Sequence, residues 1–318
     1  MKLTVDCVLT AELSNLPSTS ALAQLLAKGK VTQVEKPLEA LICTQFGLLA
    51  TPDYSIAAIT AAADGLDVGD AYWLRADAVH LVLQRDCFSL GEPVPLPIQH
   101  EHAEQMIASL NQHFNQDGLS FLMGNSGVWY LRVAQSPQIK TSLPSIVVGK
   151  NIYSYMPQGV EASKWRAVLN EVQMLLFKHP ANVAREEAGE FSVNSIWLSG
   201  GGVMPQMTAS QTDVITLVAN DVFYRGLASL LGLSCYALPV NLDAVLQSEA
   251  MHVRLKLPQI NSLDEAWFQP LLFSLKSKKI KHLTLNLGFY EKSLVLEIKT
   301  VDFYKFWRKL KPVDSYLK

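Results

Sequence analysis

The chain has 318 residues, 49% of them apolar, which is enough to bury a large core and too apolar for a disordered chain. Its formal charge of −2 gives no global argument for nucleic acid or an anionic membrane surface. No apolar run approaches the roughly 20 residues of a membrane span, so no membrane partner is expected.

Residues 2–9 alternate loosely and predict a strand. Leu22, Leu25 and Leu26 fall at helical spacing within 18–28, and further helices are expected over 36–49 and 54–63. A turn cluster at 64–70 precedes one or two core strands over 71–83, and Pro93, Pro95 and Pro97 mark a break over 86–97. A helix over 100–114 leads to a hairpin, 118–123 and 127–134, turned by Gly124-Asn125-Ser126-Gly127. Residues 135–157 read as an irregular excursion with a short strand at 146–148. The clearest helix spans 161–178, with Trp165, Val168, Leu169, Val172, Leu175 and Leu176 on one face, and His179-Pro180 is expected to end it. A buried strand over 193–198 then runs into Gly200, Gly201 and Gly202, read as a sharp loop. Beyond it are expected a strand over 214–218, a helix over 223–231, a strand over 251–257 and a helix over 263–276. A final hairpin, 282–287 and 293–299, and a short helix over 304–310 complete the chain.

Strands alternating with helices argue for an α/β fold with a mostly parallel sheet, and the two hairpins for antiparallel α+β additions. The expected division is a first part of the core over 1–98, an inserted α+β segment over 99–160 and a second part of the core over 161–318. Cys7, Cys43, Cys87 and Cys235 form no CxxC pair and read as buried free thiols of a reducing compartment. With an acid at position 6 in place of a secretory pattern, they point to the cytoplasm.

The glycine triplet carries the most specific local signal. Its backbone N–H groups are candidates to face an anion, although neither a dinucleotide fingerprint nor a P-loop is present. Asn182, Arg185 and Asn194 lie near it in sequence, and arginine suits phosphate or carboxylate. Ser199 stands at the strand end where an open α/β sheet takes its ligand. The plain alternatives are a tight turn packed on a neighbour, and loop hydrogen bonding. His100 and His102 would point about 200° apart on a helix and cannot chelate from it. No Gly-x-Ser-x-Gly elbow occurs. Neither a catalytic residue nor a set of metal ligands is assigned. Lys276, Lys278, Lys279, Lys281, Lys305, Arg308, Lys309 and Lys311 alternate with aromatics near the end; a solvated face is favoured over a nucleic-acid patch.

His179-Pro180-Ala181-Asn182-Val183-Ala184-Arg185, with Asn194-Ser195-Ile196-Trp197-Leu198-Ser199 and the three glycines, resembles a segment of the archaeal-type, cofactor-independent phosphoglycerate mutases of the alkaline phosphatase superfamily. The whole chain more closely resembles a bacterial phosphoglycerate mutase-like group, the RpfE-type regulatory proteins. That group shares Trp73-Leu74-Arg75-Ala76-Asp77-Ala78-Val79-His80-Leu81 and Trp307-Arg308. The resemblance implies a reduced alkaline phosphatase-like sheet with helices on both faces, and it makes Arg75, Asp77 and His80 further ligand candidates. In active mutases it also implies two divalent metals, such as manganese or zinc, and a phosphoryl-carrying serine. This chain departs from that pattern. Asp6 is followed by Cys7 instead of glycine, Asp53-Tyr54-Ser55 only faintly echoes the nucleophile, and no Asp-His pair occurs.

The leading expectation is therefore a cytoplasmic, non-catalytic mutase-like protein used for regulation or ligand sensing. Its pocket would take a small phosphorylated or carboxylate ligand, and a protein partner is compatible. The alternatives are a working metal-dependent mutase or phosphoesterase, and an interaction module built on the basic and aromatic C-terminal end.

Overall fold

Residues 1–207, 215–305 and 307–317 are described by the structure, a computed structural model. They form two units, Met1–Phe46 with Met207–Lys318, and Gly47–Gln206. The first unit begins with β1 (Lys2–Val8), α1 (Ala11–Ser14), α2 (Ala21–Lys28), β2 (Lys30–Val34) and α3 (Leu38–Gln45). The second holds α4 (Ile56–Ala63), β3 (Tyr72–Val79), β4 (Leu81–Leu83), β5 (Phe88–Leu90), α5 (His100–Phe114), β6 (Leu119–Met123) and β7 (Trp129–Val133). It continues with β8 (Ile139–Lys140), β9 (Gln158–Gly159), α6 (Ala162–Leu176), α7 (Pro180–Glu187) and β10 (Ser195–Gly202). The chain then returns to the first unit with β11 (Ile215–Val218), α8 (Val222–Leu231), β12 (Cys235–Tyr236) and α9 (Leu242–Leu246). Last come β13 (His252–Lys256), α10 (Gln269–Lys276), β14 (His282–Phe289) and β15 (Lys292–Lys299). The expected breaks at 98/99 and 160/161 both fall inside the second unit. Residues of α5, β6, β7, β10 and α6 share one hydrophobic core there.

The first unit is built on a seven-stranded sheet, ordered β12-β11-β13-β1-β14-β15-β2. From β12 to β14 every pairing is parallel; β15 and β2 add antiparallel. The period of two divides the central strands cleanly. Leu3, Val5 and Cys7 of β1, Val253 and Leu255 of β13, and Leu283, Leu285 and Leu287 of β14 enter one core with Leu22, Leu25 and Leu26 of α2 and Leu271, Leu272 and Leu275 of α10. The intervening Thr4, Asp6, Arg254 and Asn286 point to the other face, yet they too are buried. There α3 covers the sheet, close enough that Gly288 faces Leu38. The α2 N-terminus is held twice. Ser20 Oγ accepts from Ala23 N–H, and the buried Asp264 carboxylate accepts from Ala21 and Leu22 N–H at 2.9 and 2.8 Å. Of the strand expected over 214–218, Ile215–Val218 is seen; Val214 lies outside the described residues. Of the helix expected over 304–310, the described residues show no α-helical turn. Thr300–Tyr304 makes a short 3-10 turn, Phe306 lies outside the described residues, and Arg308 donates to the Lys28 and Gly29 carbonyls.

A four-stranded antiparallel sheet, β10-β3-β7-β6, organises the second unit. Leu74, Ala76 and Ala78 of β3 and Ile196 and Leu198 of β10 pack against α5 and α6 on one face. On the other, α4 lies over Trp73 and Tyr130. Helix α6 ends at Leu176, ahead of His179-Pro180 as expected, and Pro180 is the first residue of α7, where its missing N–H is harmless, with His179 Nδ1 accepting from Ala181 N–H. The expected glycine loop is corrected: the glycines do not leave the sheet. Strand β10 runs through Gly202, with a register shift between Ser199 and Gly202, and Gly200 takes φ +63°. Small residues are required there by contact. A Cβ on Gly200 would stand 3.0 Å from Ile56 Cβ, and one on Gly201 2.8 Å from Leu74 Cδ2.

Candidate functional site

The polar face of the first unit's sheet carries the most developed buried cluster. Asp6, fully buried in β1, receives four donors. Arg254 Nη2 and Asn286 Nδ2 reach Oδ1 at 2.9 and 2.6 Å. Arg254 Nε reaches Oδ2 at 2.6 Å, and the Tyr224 hydroxyl donates to the same oxygen. Parallel register sets Asn286 beside Asp6, and Arg254 comes from β13 on the other flank of β1. Tyr224 is supplied by the first turn of α8, whose N-cap is Asp221. Gln45, at the end of α3, accepts from Arg254 Nη2 at 2.7 Å and exchanges 3.2 Å bonds with Asn286. The Phe46 ring lies 4.8 Å from the guanidinium carbon.

Burial pushes the Asp6 carboxyl up, but the charge and hydrogen bonds of Arg254, with those of Tyr224 and Asn286, outweigh it and hold it below the usual range. Burial works against the Arg254 charge in turn, and the neighbouring Asp6 more than restores it. Tyr224 is driven well up by burial and by the Asp6 charge, so it stays a donor. The arrangement is a fixed, charge-neutral clamp.

Divalent metals are implied by the mutase resemblance, and the Asp6 carboxylate is the charged oxygen donor of this cluster. The donor set does not fit. An ionised carboxylate has about four lone-pair sites, and all four are taken by protein donors. Among the described residues no group of three or more His, Cys, Asp or Glu side chains is placed to hold an ion.

The residues expected from sequence sit in the second unit, and their polar atoms are turned mainly to backbone. Asn182 donates to the Leu176 and Val193 carbonyls and accepts from Val193 N–H, all at 2.8 Å. Asn194 brackets Leu81, accepting from its N–H at 2.7 Å and donating to its carbonyl at 2.9 Å. His80 Nδ1 lies 2.8 Å from the Ser192 carbonyl. Arg75 and Asp77 pair on one face of β3, with Nε to Oδ1 at 3.1 Å. Among the described residues, Ser199 Oγ, fully buried, has no hydrogen-bond partner, and neither has the Tyr72 hydroxyl. The Gly201 N–H faces Asp53, which also accepts from Thr141 N and Oγ1 at 2.9 and 2.5 Å. Burial raises the Asp53 carboxyl despite those bonds. So the Gly201 amide is turned to a protein carboxylate and is not open to an anion. Arg185 differs from the rest: it is buried, yet it lines a groove of about 490 Å³.

Sequence reasoning noticed Asp6 only as a departure from a motif and missed Arg254, Asn286, Tyr224 and Gln45. A signal was present: Val5-Asp6-Cys7, Val253-Arg254-Leu255 and Leu285-Asn286-Leu287 each set one polar residue inside an apolar strand.

Fold and site together define an α/β protein whose mostly parallel sheet carries an internally neutralised carboxylate. No family model matches the chain. A stretch of 114 residues is 31% identical to a 2,3-bisphosphoglycerate-independent phosphoglycerate mutase of Methanosarcina barkeri, covering 35% of this chain and 28% of that protein. Another, of 154 residues, is 26% identical to a probable enzyme of the same name from Geobacter sulfurreducens, covering 48% and 38%. The solved structure of the PH0037 protein from Pyrococcus horikoshii shares the fold, with a TM-score of 0.51 at 14% identity over 94% of this chain and 87% of that one. The chain is a distant relative of the cofactor-independent phosphoglycerate mutases, and the matched stretches span well under half of those relatives' length.

Proposed function

We propose that this chain is a mutase-related protein that has relinquished metal-dependent phosphoryl transfer and serves in the cytoplasm as a regulatory or ligand-sensing protein. One observation carries the reading: the four-donor clamp on Asp6, in which the Arg254 guanidinium neutralises the carboxylate and protein donors fill its acceptor sites. Two-metal phosphoryl transfer relies on ions about 4 Å apart that act as Lewis acids and activate the nucleophile. Arg254 supplies charge without an open coordination position.

On the ligand side, Arg185 is the expected pocket residue that best supports the reading, because Asn182 and Asn194 are occupied by backbone groups.

Metal analysis of the purified protein together with a phosphoglycerate mutase assay in manganese tests the proposal. The expected result is substoichiometric metal and no interconversion of 2- and 3-phosphoglycerate above background. Stoichiometric metal accompanied by turnover would sink it and establish a working mutase.

A further inference from the structure

We propose that the groove beside Arg185 binds a small organic carboxylate with an apolar body, whose carboxylate takes the place of Glu190 on the guanidinium. The inference rests on the ligand-sensing part of the function proposed above and names the ligand class.

Helix α7 ends in a Schellman motif. Gly189 adopts φ +76° and its N–H reaches the Glu186 carbonyl at 3.0 Å, while Glu190 N–H reaches the Arg185 carbonyl at 2.9 Å. The motif folds Glu190 back over Arg185. Their side chains meet with Nη1 2.8 Å from Oε2, an ion-pair distance, but without the angle of a hydrogen bond. Arg185 is only 2% exposed, whereas Glu190 is 38% exposed. A buried guanidinium nitrogen is thus neutralised from the solvent side by a group that bonds it poorly.

The other guanidinium nitrogens are fixed. Nε donates to the Phe191 carbonyl at 3.0 Å, and Nη2 to the Pro97 carbonyl at 3.2 Å. These bonds orient Nη1 and keep the cation in place while its counter-ion exchanges. The groove's volume of about 490 Å³ falls in the range of small-molecule sites, roughly 300–1,000 Å³. Pro93, Leu96, Ile98 and Phe191 give it apolar walls. Arg185 is the one cation among the described residues lining it. Two of its three nitrogens are committed to carbonyls, so the groove can offer a single charged donor. That suits a monoanionic carboxylate on an apolar stem better than a phosphate dianion, which is held by several donors at once.

The test measures binding of phenylacetate, phenyl phosphate and phenethyl alcohol by calorimetry and by the shift in melting temperature. Wild type, Glu190→Gln and Arg185→Lys are compared. Phenylacetate is expected to bind wild type, and to bind Glu190→Gln about three- to tenfold more tightly because the competing carboxylate is gone. The alcohol should bind at least about tenfold more weakly than phenylacetate. Arg185→Lys should lose phenylacetate binding. Should that buried variant fail to fold, Glu190→Gln still decides, since its site is exposed. No binding to wild type, equal binding of acid and alcohol, unchanged affinity in Glu190→Gln, or a preference for phenyl phosphate each overturns the assignment. Mutase turnover is measured on the same preparations. Turnover would strike the metal-free reading alone, and absent phenylacetate binding without turnover would strike the groove alone.

Discussion

Replacing Arg254 by methionine probes the clamp directly. The substitution keeps much of the side-chain volume but removes two bonds to Asp6 and one to Gln45. Asp6 is fully buried and Arg254 nearly so. Deleting one partner of a buried pair strands the other charge, which costs about 3–5 kcal/mol. The pH dependence carries a sign that a simple loss of packing would not. In the wild type Asp6 is held below its usual range, so its contribution is fully present above the unfolded carboxylate pKa of about 3.9 and is lost as pH falls through the lower folded value. Without Arg254, burial dominates and the folded pKa rises above the unfolded one. The penalty is then complete above that raised value and is relieved as pH falls towards the unfolded pKa. The expected deficit is therefore largest near about pH 7.5 and smaller at about pH 5. Asp6→Asn combined with Arg254→Met should recover a substantial part of it, because neither charge is left unpaired. Urea unfolding followed by far-UV circular dichroism measures all three. A deficit below about 1 kcal/mol, one that does not change between the two pH values, or a double variant no better than the single one would refute the reasoning.

Gly201→Ala should destabilise the second unit by about 1–3 kcal/mol through overpacking, since the new methyl meets the Tyr72 hydroxyl and Leu74 Cδ2. A melting temperature equal to wild type would contradict this. Asn182→Ala leaves both backbone groups of Val193 without their Asn182 partner, while the Leu176 carbonyl keeps the His179 N–H. A loss of about 2–4 kcal/mol is expected, with faster amide exchange at Val193 as the local readout. Burial pushes the Cys7 and Cys43 thiols up to about 12, so a thiolate-directed alkylating agent at about pH 8 should leave both unlabelled in the folded protein. Mass mapping would find label first on the half-buried Cys87 and Cys235.

Much of the fold was legible because its signals are local. The apolar stripe Trp165, Val168, Leu169 and Val172 marks α6, and the turn at 124–127 marks the hairpin of β6 and β7. The glycine triplet misled because glycine permits two things that sequence cannot separate. It allows a backbone turn, and it allows close approach; here Gly200 uses a left-handed φ of +63° inside the strand, and Ile56 and Leu74 demand close approach. Likewise Pro180 reads equally as a stop for one helix and as the first residue of the next. The division into units was illegible for a different reason. It depends on β1 pairing with β13 and β14, contacts separated by most of the chain, which no local pattern announces. The Asp6 clamp joins residues 6, 45, 224, 254 and 286, and its members become neighbours only through that pairing.

The clamp also shows why a missing motif and a missing charge are different events. A carboxylate buried in a parallel sheet cannot stay ionised without a compensating cation and hydrogen bonds. Losing metal ligands elsewhere would leave Asp6 either to protonate or to be replaced. Under the proposed function, Arg254 offers a third outcome: the carboxylate keeps its place and charge with a counter-ion that is part of the chain. A guanidinium meets the electrostatic requirement and, fixed by Asp6, Gln45 and the Phe46 ring, does not dissociate as an ion would. It cannot accept a phosphate oxygen into a coordination shell or lower the pKa of a bound water, which are the contributions a divalent metal makes to such chemistry. Under the proposed function, then, the same four bonds that stabilise the sheet are the reason it does not catalyse. Stability and activity at Asp6 should be separable only by variants that remove Arg254 and restore metal-binding side chains together.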